Sequence, residues 1–247
     1  MLMKKETMIF GIRPVLEAIA AGKEIEKILL QKGLRGNLYQ ELMEQVRSLD
    51  IPLQIVPIDR LNRITRKNHQ GVVAFMARIS YHKIEQVLPL SYEKGKIPLV
   101  LVLDKITDVR NFGAIARTAE CAGVDAIVIP ERGAAAINED AMKTSAGALN
   151  IIPVCREKSL VDAVRFMKDS GLKIIAATEK GNTDYDEENL DLPLAVIMGS
   201  EDKGVGDALL RISDHLVKIP QIGEIASLNV SVAAGVIIYE ALRQRKK

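Results

Sequence analysis

A chain of 247 residues, 48% of them hydrophobic, is long enough for one large domain or two modest ones and can bury a sizeable core. No apolar run reaches the roughly 18 residues that a bilayer span requires. The opening MLMKKETMIFGIRP lacks a long hydrophobic segment with a small-residue cleavage site, and Cys121 and Cys155, the only cysteines, fit a reducing compartment better than a disulfide framework, so the expected location is the cytoplasm.

In chain order, RPVLEAIAAG (13–22) reads as a short helix closed by Gly22 and IEKILLQ (25–31) as a strand. NLYQELMEQVRSLD (37–50) is helical, while IPLQIVPI (51–58) and GVVAFMARI (71–79) are strands, which completes a small α/β unit. Residues 1–80 hold 13 Lys and Arg against 8 Asp and Glu, a net of +5, whereas residues 81–247 hold 21 against 24, a net of −3. Much of the basic excess lies in DRLNRITRKNHQG (59–71), which gathers Arg60, Arg63, Arg66, Lys67 and His69. Arg60, Arg63 and Lys67 have helical i, i+3, i+7 spacing, so the stretch reads as a solvated basic helix face or as a phosphate-contacting surface.

SYHKIEQVLPLSYEKGKIP (80–98) breaks the pattern with Pro89, Gly95 and Pro98 and reads as a linker containing a helical turn. From residue 99 the alternation restarts. LVLVLDK, DAIVIP, NIIPVC, KIIAAT, LAVIMG and HLVKIP are strand candidates, with helical patterns near 112–122, 139–147, 159–170, 205–212 and 229–245. Near-continuous apolar strands alternating with helices predict a buried, mostly parallel sheet, whose ligands sit beyond the carboxyl ends of its strands. The expected organisation is α/β throughout: a domain over 1–79, a linker over 80–96 and a second domain over 97–247.

Several chemistries find no support. GSEDKGVG (199–206) has P-loop glycine spacing, but Val205 stands where the lysine is required. His69, His82, His215 and the two cysteines are scattered, so no zinc-type cluster is expected. No GxSxG elbow is present. Three segments remain. In LDKITDVRNFGAIARTAECAGVDAIVIP (103–130), a strand feeds a polar turn and a helix that Asn111 could cap, with Arg110 and Arg117 seven apart on one face. In AVIMGSEDKGV (195–205), a buried strand runs into a turn carrying Glu201 and Asp202, with Gly199 allowing close backbone approach. In VKIPQIGEIASLNVSVAAGVIIYEAL (217–242), Ser227, Asn229 and Ser231 precede or open a helix that is apolar nearly all round and must be buried in the fold or against another subunit. Ser227 and Asn229 read as a helix cap or as one wall of a binding site.

NFGAIARTAECAGV, IMGSEDKGV and IPQIGEIASLNVSVAAG, in that order, closely resemble the three signature motifs of the SpoU (TrmH) family of SPOUT-class, S-adenosyl-L-methionine-dependent RNA ribose 2′-O-methyltransferases. MIFGIRPVLEAI and HQGVVAFMARI are similar to the two ends of the small substrate-binding domain in the branch that methylates a guanosine in the peptidyl-transferase P-loop of 23S rRNA. The resemblance implies a C-terminal α/β domain with a trefoil knot into which the cofactor folds. It also implies a homodimer through that domain, with active sites where two copies meet, and an N-terminal domain like the α/β RNA-binding sandwiches of ribosomal proteins.

Position by position, the resemblance puts Asn111 and Arg117 at the reacting ribose, with Glu201, Ser227 and Asn229 completing the polar site. Gly199, Ile219 and Leu228 would contact S-adenosyl-L-methionine through backbone groups, with Thr178 as a further contact. Arg60, Arg63, Arg66, Lys67, His69 and Arg110 are the expected RNA contacts, and no metal is expected. A guanidinium, with a pKa above about 12, is a donor and not a base, so Arg117 is expected to stabilise oxyanion charge on the ribose. A related enzyme acting on tRNA, or a non-catalytic RNA-binding factor, are the alternative readings.

Overall fold

The computed structural model describes residues 8–225 and 227–246. Residues 1–7, Ala226 and Lys247, which the expected domains and the third motif include, lie outside the described residues. The chain divides into two compact units, the first ending at Ser80 and the second starting at Tyr81.

The first unit runs β1 (Met8–Phe10), α1 (Ile12–Ala20), β2 (Ile25–Gln31), α2 (Asn37–Ser48), β3 (Leu53–Val56), α3 (Ile58–Ile64) and β4 (Val72–Met76). Its sheet has the order β1-β4-β2-β3, with β4 antiparallel to β1 and β2, and β3 parallel to β2. Strand alternation gives the sheet two different faces. Ile28 and Leu30 of β2, with Val72 and Ala74 of β4, pack under Val15, Leu16 and Ile19 of α1 and Leu42 and Val46 of α2. Leu29 and Val73 point the other way and meet only a small cluster with Val56 and with Leu61 of α3.

The basic helix face expected over 60–67 is shorter than its spacing indicates. Thr65 leaves the helix with an extended backbone, φ −147° and ψ 140°, so Arg60 and Arg63 lie on α3 but Lys67 does not.

The second unit runs β5 (Tyr81–His82), α4 (Ile84–Glu93), β6 (Leu99–Asp104), α5 (Val109–Cys121), β7 (Ala126–Pro130), α6 (Glu139–Thr144), a 3-10 turn (Ala148–Asn150), β8 (Val154–Glu157), α7 (Leu160–Asp169), β9 (Lys173–Ala177), β10 (Thr183–Asp184), β11 (Leu194–Gly199), α8 (Asp207–Ile212), β12 (His215–Lys218) and α9 (Val230–Arg245). Its sheet has the order β10-β12-β9-β11-β6-β7-β8-β5, and every pairing is parallel. The strands carry the core: Leu99–Asp104 is buried throughout, as are Leu194–Met198.

Two segments differ from expectation. The stretch read as a linker over 80–96 belongs, from Tyr81 on, to the second unit: β5 pairs with Val154 and Cys155, and α4 buries Ile84, Val87 and Leu88 in the main core. Glu157 fixes the start of α4, accepting from the Ile84 N–H at 2.8 Å and from Lys83 Nζ at 3.2 Å. Pro89 lies inside α4, where burial of its apolar neighbours outweighs the missing backbone donor. In NIIPVC the strand begins only at Val154, because Ala148–Asn150 forms a turn and Pro153 has no N–H to give a ladder.

Helix α9 buries Val230, Ala234, Ile237, Ile238 and Ala241, but Val232 and Tyr239 are about half exposed, at 52% and 49%. Its far end is clamped by Arg245, which donates to the carbonyls of Ile97 (2.8 Å), Pro98 (3.1 Å) and Leu192 (2.6 Å) at the entry to β6 and β11.

Two carboxylates tie the β9–β12 edge together. Burial alone would raise the Glu188 pKa, but the paired Lys173 ammonium and His215, whose Nδ1 lies 3.0 Å away, hold it below the ordinary value. Asp214 is lowered in the same way against its burial, by Lys168 at 2.6 Å and the Ile174 N–H at 2.8 Å. Both groups release protons at lower pH in the folded chain than in the unfolded one. Their contribution is therefore complete above the ordinary carboxylate range and lost as pH falls through the depressed values. Thermal unfolding should accordingly show little change from these groups between neutrality and about pH 5 and a falling midpoint below about pH 4. Glu188→Gln should flatten that acid limb.

Candidate functional site

A cavity of about 370 Å³ opens beyond the carboxyl ends of β9, β11 and β12. It lies to one side of β6, from which β7 and β8 extend the sheet one way and β11, β9 and β12 the other. Thr178, Gly199, Ile219 and Leu228, the four residues expected to hold a cofactor, all line it, as do Ser227 and Glu201. The walls are mixed, with Ala177, Met198, Val217 and Ala233 as apolar surface and Glu179 and Asp202 as acids.

Local geometry explains the shape. Thr178 continues β9 by donating its N–H to the Val217 carbonyl at 2.9 Å. At the end of β11 the chain folds back, with the Gly204 N–H bonded to the Ser200 carbonyl at 2.8 Å. A Cβ on Gly199 would lie 2.1 Å from the Gly204 carbonyl carbon and 2.2 Å from the Val205 nitrogen, so only glycine fits there. Asp104, at the end of β6, accepts from the Gly206 N–H at 2.8 Å and anchors the outgoing limb of the same turn.

The three motifs meet at Glu201. Its Oε1 accepts from Asn111 Nδ2 at 3.1 Å, from Asn229 Nδ2 at 2.8 Å and from the Val230 N–H at 3.2 Å. Asn229 Nδ2 also donates to Asn111 Oδ1 at 3.0 Å. Asn229 is in addition the N-cap of α9: its Oδ1 accepts from the Ser231 N–H at 2.9 Å and from Ser231 Oγ at 2.6 Å. The cap reading of this residue holds for Oδ1, while its Nδ2 is turned to Glu201 and Asn111, so its two amide atoms do different work.

Asn111 is not the cap of its helix. Asp108 caps α5, accepting from the Arg110 and Asn111 N–H groups at 2.9 and 2.8 Å, which leaves the Asn111 side chain for Glu201. Close packing of Gly113 against the Ala141 carbonyl, where a Cβ would approach to 2.8 Å, presses α5 onto α6.

Arg117 is placed differently. It is exposed on α5, six residues beyond Asn111, or about 9 Å along the axis and a third of a turn around it. It does not line the cavity of its own chain. Arg110 is exposed in the first turn of α5. In the first unit, Arg60, Arg63, Arg66 and Lys67 are exposed, but His69 is buried. Its Nδ1 accepts from the Gly71 N–H at 3.0 Å, which puts the ring hydrogen on Nε2, 2.9 Å from Asn62 Oδ1. His69 therefore shapes the loop into β4 and is not on the RNA-accessible surface, a correction to its sequence reading.

Sequence reasoning missed Asp104 and Asp108, and also a smaller cavity of about 120 Å³ lined by Lys105, Thr107, Asp108, Asn111 and Glu201. The signal was present: LDKITD follows an apolar strand with polar residues that a plain turn does not require.

The chain is similar to known proteins over nearly its whole length. The model of the SpoU rRNA Methylase family matches residues 98–239, and that of the RNA 2′-O ribose methyltransferase substrate-binding domain matches residues 8–82. A Staphylococcus aureus relative named as a TrmH family tRNA/rRNA methyltransferase is 37% identical over 242 residues, covering 98% of this chain and 97% of its own. The SpoU methyltransferase AviRb from Streptomyces viridochromogenes, solved with its cofactor AdoMet, superposes with a TM-score of 0.62 at 25% identity, over 97% of this chain and 90% of that one. A TrmH/SpoU tRNA modifying enzyme of A. aeolicus superposes with a TM-score of 0.56 at 29% identity, over 61% of this chain and 77% of that one.

The fold-back at Gly199 gives a direct test. Gly199→Ala should destabilise the protein by more than about 2 kcal/mol, since backbone on both sides of the turn must move. Gly223→Ala, on a nearby loop where a Cβ meets nothing within 4 Å, should leave the melting temperature unchanged. Equal melting temperatures for the two variants would show that the turn yields.

Proposed function

The chain belongs to the SpoU rRNA methylase family of S-adenosyl-L-methionine-dependent RNA methyltransferases, and from that membership we propose that it methylates a ribose 2′-hydroxyl, that of a guanosine in the peptidyl-transferase P-loop of 23S rRNA. The observation that carries the reading is the convergence of Asn111, Glu201 and Asn229 on the rim of the cavity. One residue from each motif reaches a single point beside a pocket suited to the cofactor.

The donor set fits S-adenosyl-L-methionine. Apolar walls accept a purine ring, the Thr178 and Ser227 hydroxyls face the polar parts, and Glu179, Glu201 and Asp202 are acids beside a cationic ligand. When bound, that cofactor supplies an electrophilic methyl carbon for in-line displacement by the ribose oxygen. The chain's own residues then have three tasks. Gly199, Ile219 and Leu228 hold the pocket's backbone in position. Asn111 and Asn229, locked by Glu201, orient the ribose, which is where most of the rate enhancement of a displacement arises. Arg117 donates to the 2′-oxygen as charge develops, and the proton leaves by a separate route such as the neighbouring phosphate.

Because Arg117 does not line its own cavity, the reading assigns it to the site of a second copy in a homodimer. The exposed apolar side chains Ile222, Ile225, Val232 and Tyr239, around the start of α9 and along it, support such a contact. The strand order supports the accompanying knot: β11 inserts between β6 and β9, and β12 is then added beyond β9. Among the described residues no helix is long and apolar enough to cross a membrane. The first unit, with exposed Arg60, Arg63, Arg66 and Lys67, would grip the RNA. A tRNA target is the second reading, favoured by the likeness to the A. aeolicus enzyme.

Incubation with labelled S-adenosyl-L-methionine and unmodified 23S rRNA or tRNA, followed by mapping of the methylated nucleotide, tests the assignment. Label on a P-loop guanosine is expected, and label confined to tRNA would replace the target. Arg117→Ala should lower the rate by about 100-fold or more. Mixing Arg117→Ala with Glu201→Gln chains should restore part of the activity if each site draws on two copies. No restoration from a mixed dimer would place Arg117 in the site of its own chain.

A further inference from the structure

The face of the first sheet that α1 and α2 leave uncovered has a composition that a packing surface does not need. Strand register sets Met8, Phe75 and Lys27 in one row across β1, β4 and β2. The adjacent row is Phe10, Val73, Leu29 and Gln54. Helix α3 covers this face around Leu29, Val56 and Val73, through Leu61 and Ile64, and Met8, Phe10 and Phe75 pack against the same small cluster. Phe10 and Phe75 remain half-buried, while Lys27 and Gln54 are exposed.

The chain has 4 Phe and no Trp, so two of its phenylalanines lie on this one patch. They are diagonal cross-strand neighbours, which puts them about 7–8 Å apart. Each carries a lysine: Lys27 Nζ is 5.1 Å from the centre of the Phe75 ring, and Lys67 Nζ is 5.2 Å from that of Phe10. Arg60 and Arg63 are exposed on α3, the helix whose Leu61 packs on this face.

We propose that this face is a stacking platform for an unpaired stretch of RNA, with Phe10 and Phe75 each taking a base and Lys27 and Lys67 taking the adjoining phosphates. The inference rests on the RNA-binding reading of the first unit and names the form of RNA it takes. An apolar partner would be met by aliphatic residues without a lysine over each ring. A duplex offers phosphates but no free base faces, so it gives the phenylalanines no role. Unpaired RNA uses both features. A lysine over a phenylalanine at an exposed site is a weak contact, and it is readily exchanged for a stacked base with the ammonium moved to a phosphate. Gln54, in the Phe10 row, has an amide able to meet the edge of a stacked base.

The test uses the full chain, an oligouridylate and an RNA duplex of equal length. Phe10→Leu/Phe75→Leu keeps apolar volume against α3 but removes both rings, and Phe10→Tyr/Phe75→Tyr keeps the rings. The Leu pair should bind oligouridylate about tenfold or more weaker, with duplex affinity and melting temperature nearly unchanged, and the Tyr pair should bind like the parent. Lys27→Ala and Lys67→Ala should each reduce the salt slope by about 0.7. Photocrosslinking of thiouridine-labelled oligomer to the unaltered protein should mark the peptides containing Phe10 and Phe75. Undiminished oligouridylate binding by the Leu pair, or crosslinks only outside those peptides, overturns the proposal. Because no methyl transfer is read, ring-dependent binding by a chain inactive on every RNA would sink the proposed activity and leave the platform standing.

Discussion

Three N–H donors from two helices converge on one carboxylate oxygen of Glu201, and the site depends on that convergence. Glu201 sits just past β11, Asn111 in the first turn of α5 and Asn229 at the head of α9, so the contact joins three parts of the chain that are far apart in sequence. A carboxylate with several donors is held more firmly than any single hydrogen bond would hold it. The dipole of α9 adds to this, since the Val230 N–H at its start points at Glu201.

The rest of the second unit brings those groups to their places. Arg245 clamps the last turn of α9 to the carbonyls before β6 and β11. A helix of 16 residues rises about 24 Å, enough to carry its first turn to the opposite, carboxyl ends of those strands. Asp104 holds the outgoing limb of the Glu201 turn, and Gly199 lets that turn fold onto its own strand. Asp108 takes over capping of α5 and so frees Asn111. Buried strands supply the rigidity, and polar residues past their ends form the hydrogen-bonded cluster at Glu201.

The first unit shows the same economy on a smaller sheet. One face is used for stability, packed under two amphipathic helices. The other keeps only a small cluster beneath α3 and leaves aromatic and basic residues within reach of solvent. His69, despite its basic neighbours, belongs to the structural part, with both ring nitrogens engaged inside the loop before β4.

The sequence by itself determined the alternation of elements and the parallel sheet of the second unit, and its motifs picked out Thr178, Gly199, Glu201, Ile219, Ser227 and Leu228, which line the cavity. Unbroken apolar runs such as LVLVLD and LAVIM have no stable place except a doubly covered sheet, and the motif residues fall just past the ends of such runs. Tertiary structure alone decided matters that depend on distant partners. Whether Asn111 caps α5 turns on Asp108 competing for the same N–H groups. Whether 80–96 is a linker turns on an open strand edge at β8 and a core that α4 can complete. His69 was legible as a basic-patch residue only because sequence shows neighbours and not burial. Arg117 marks the boundary between the two kinds of information: its motif was plain in the chain, but its distance from the cavity is a property of the folded helix, fixed by where α5 packs and how far six residues carry it.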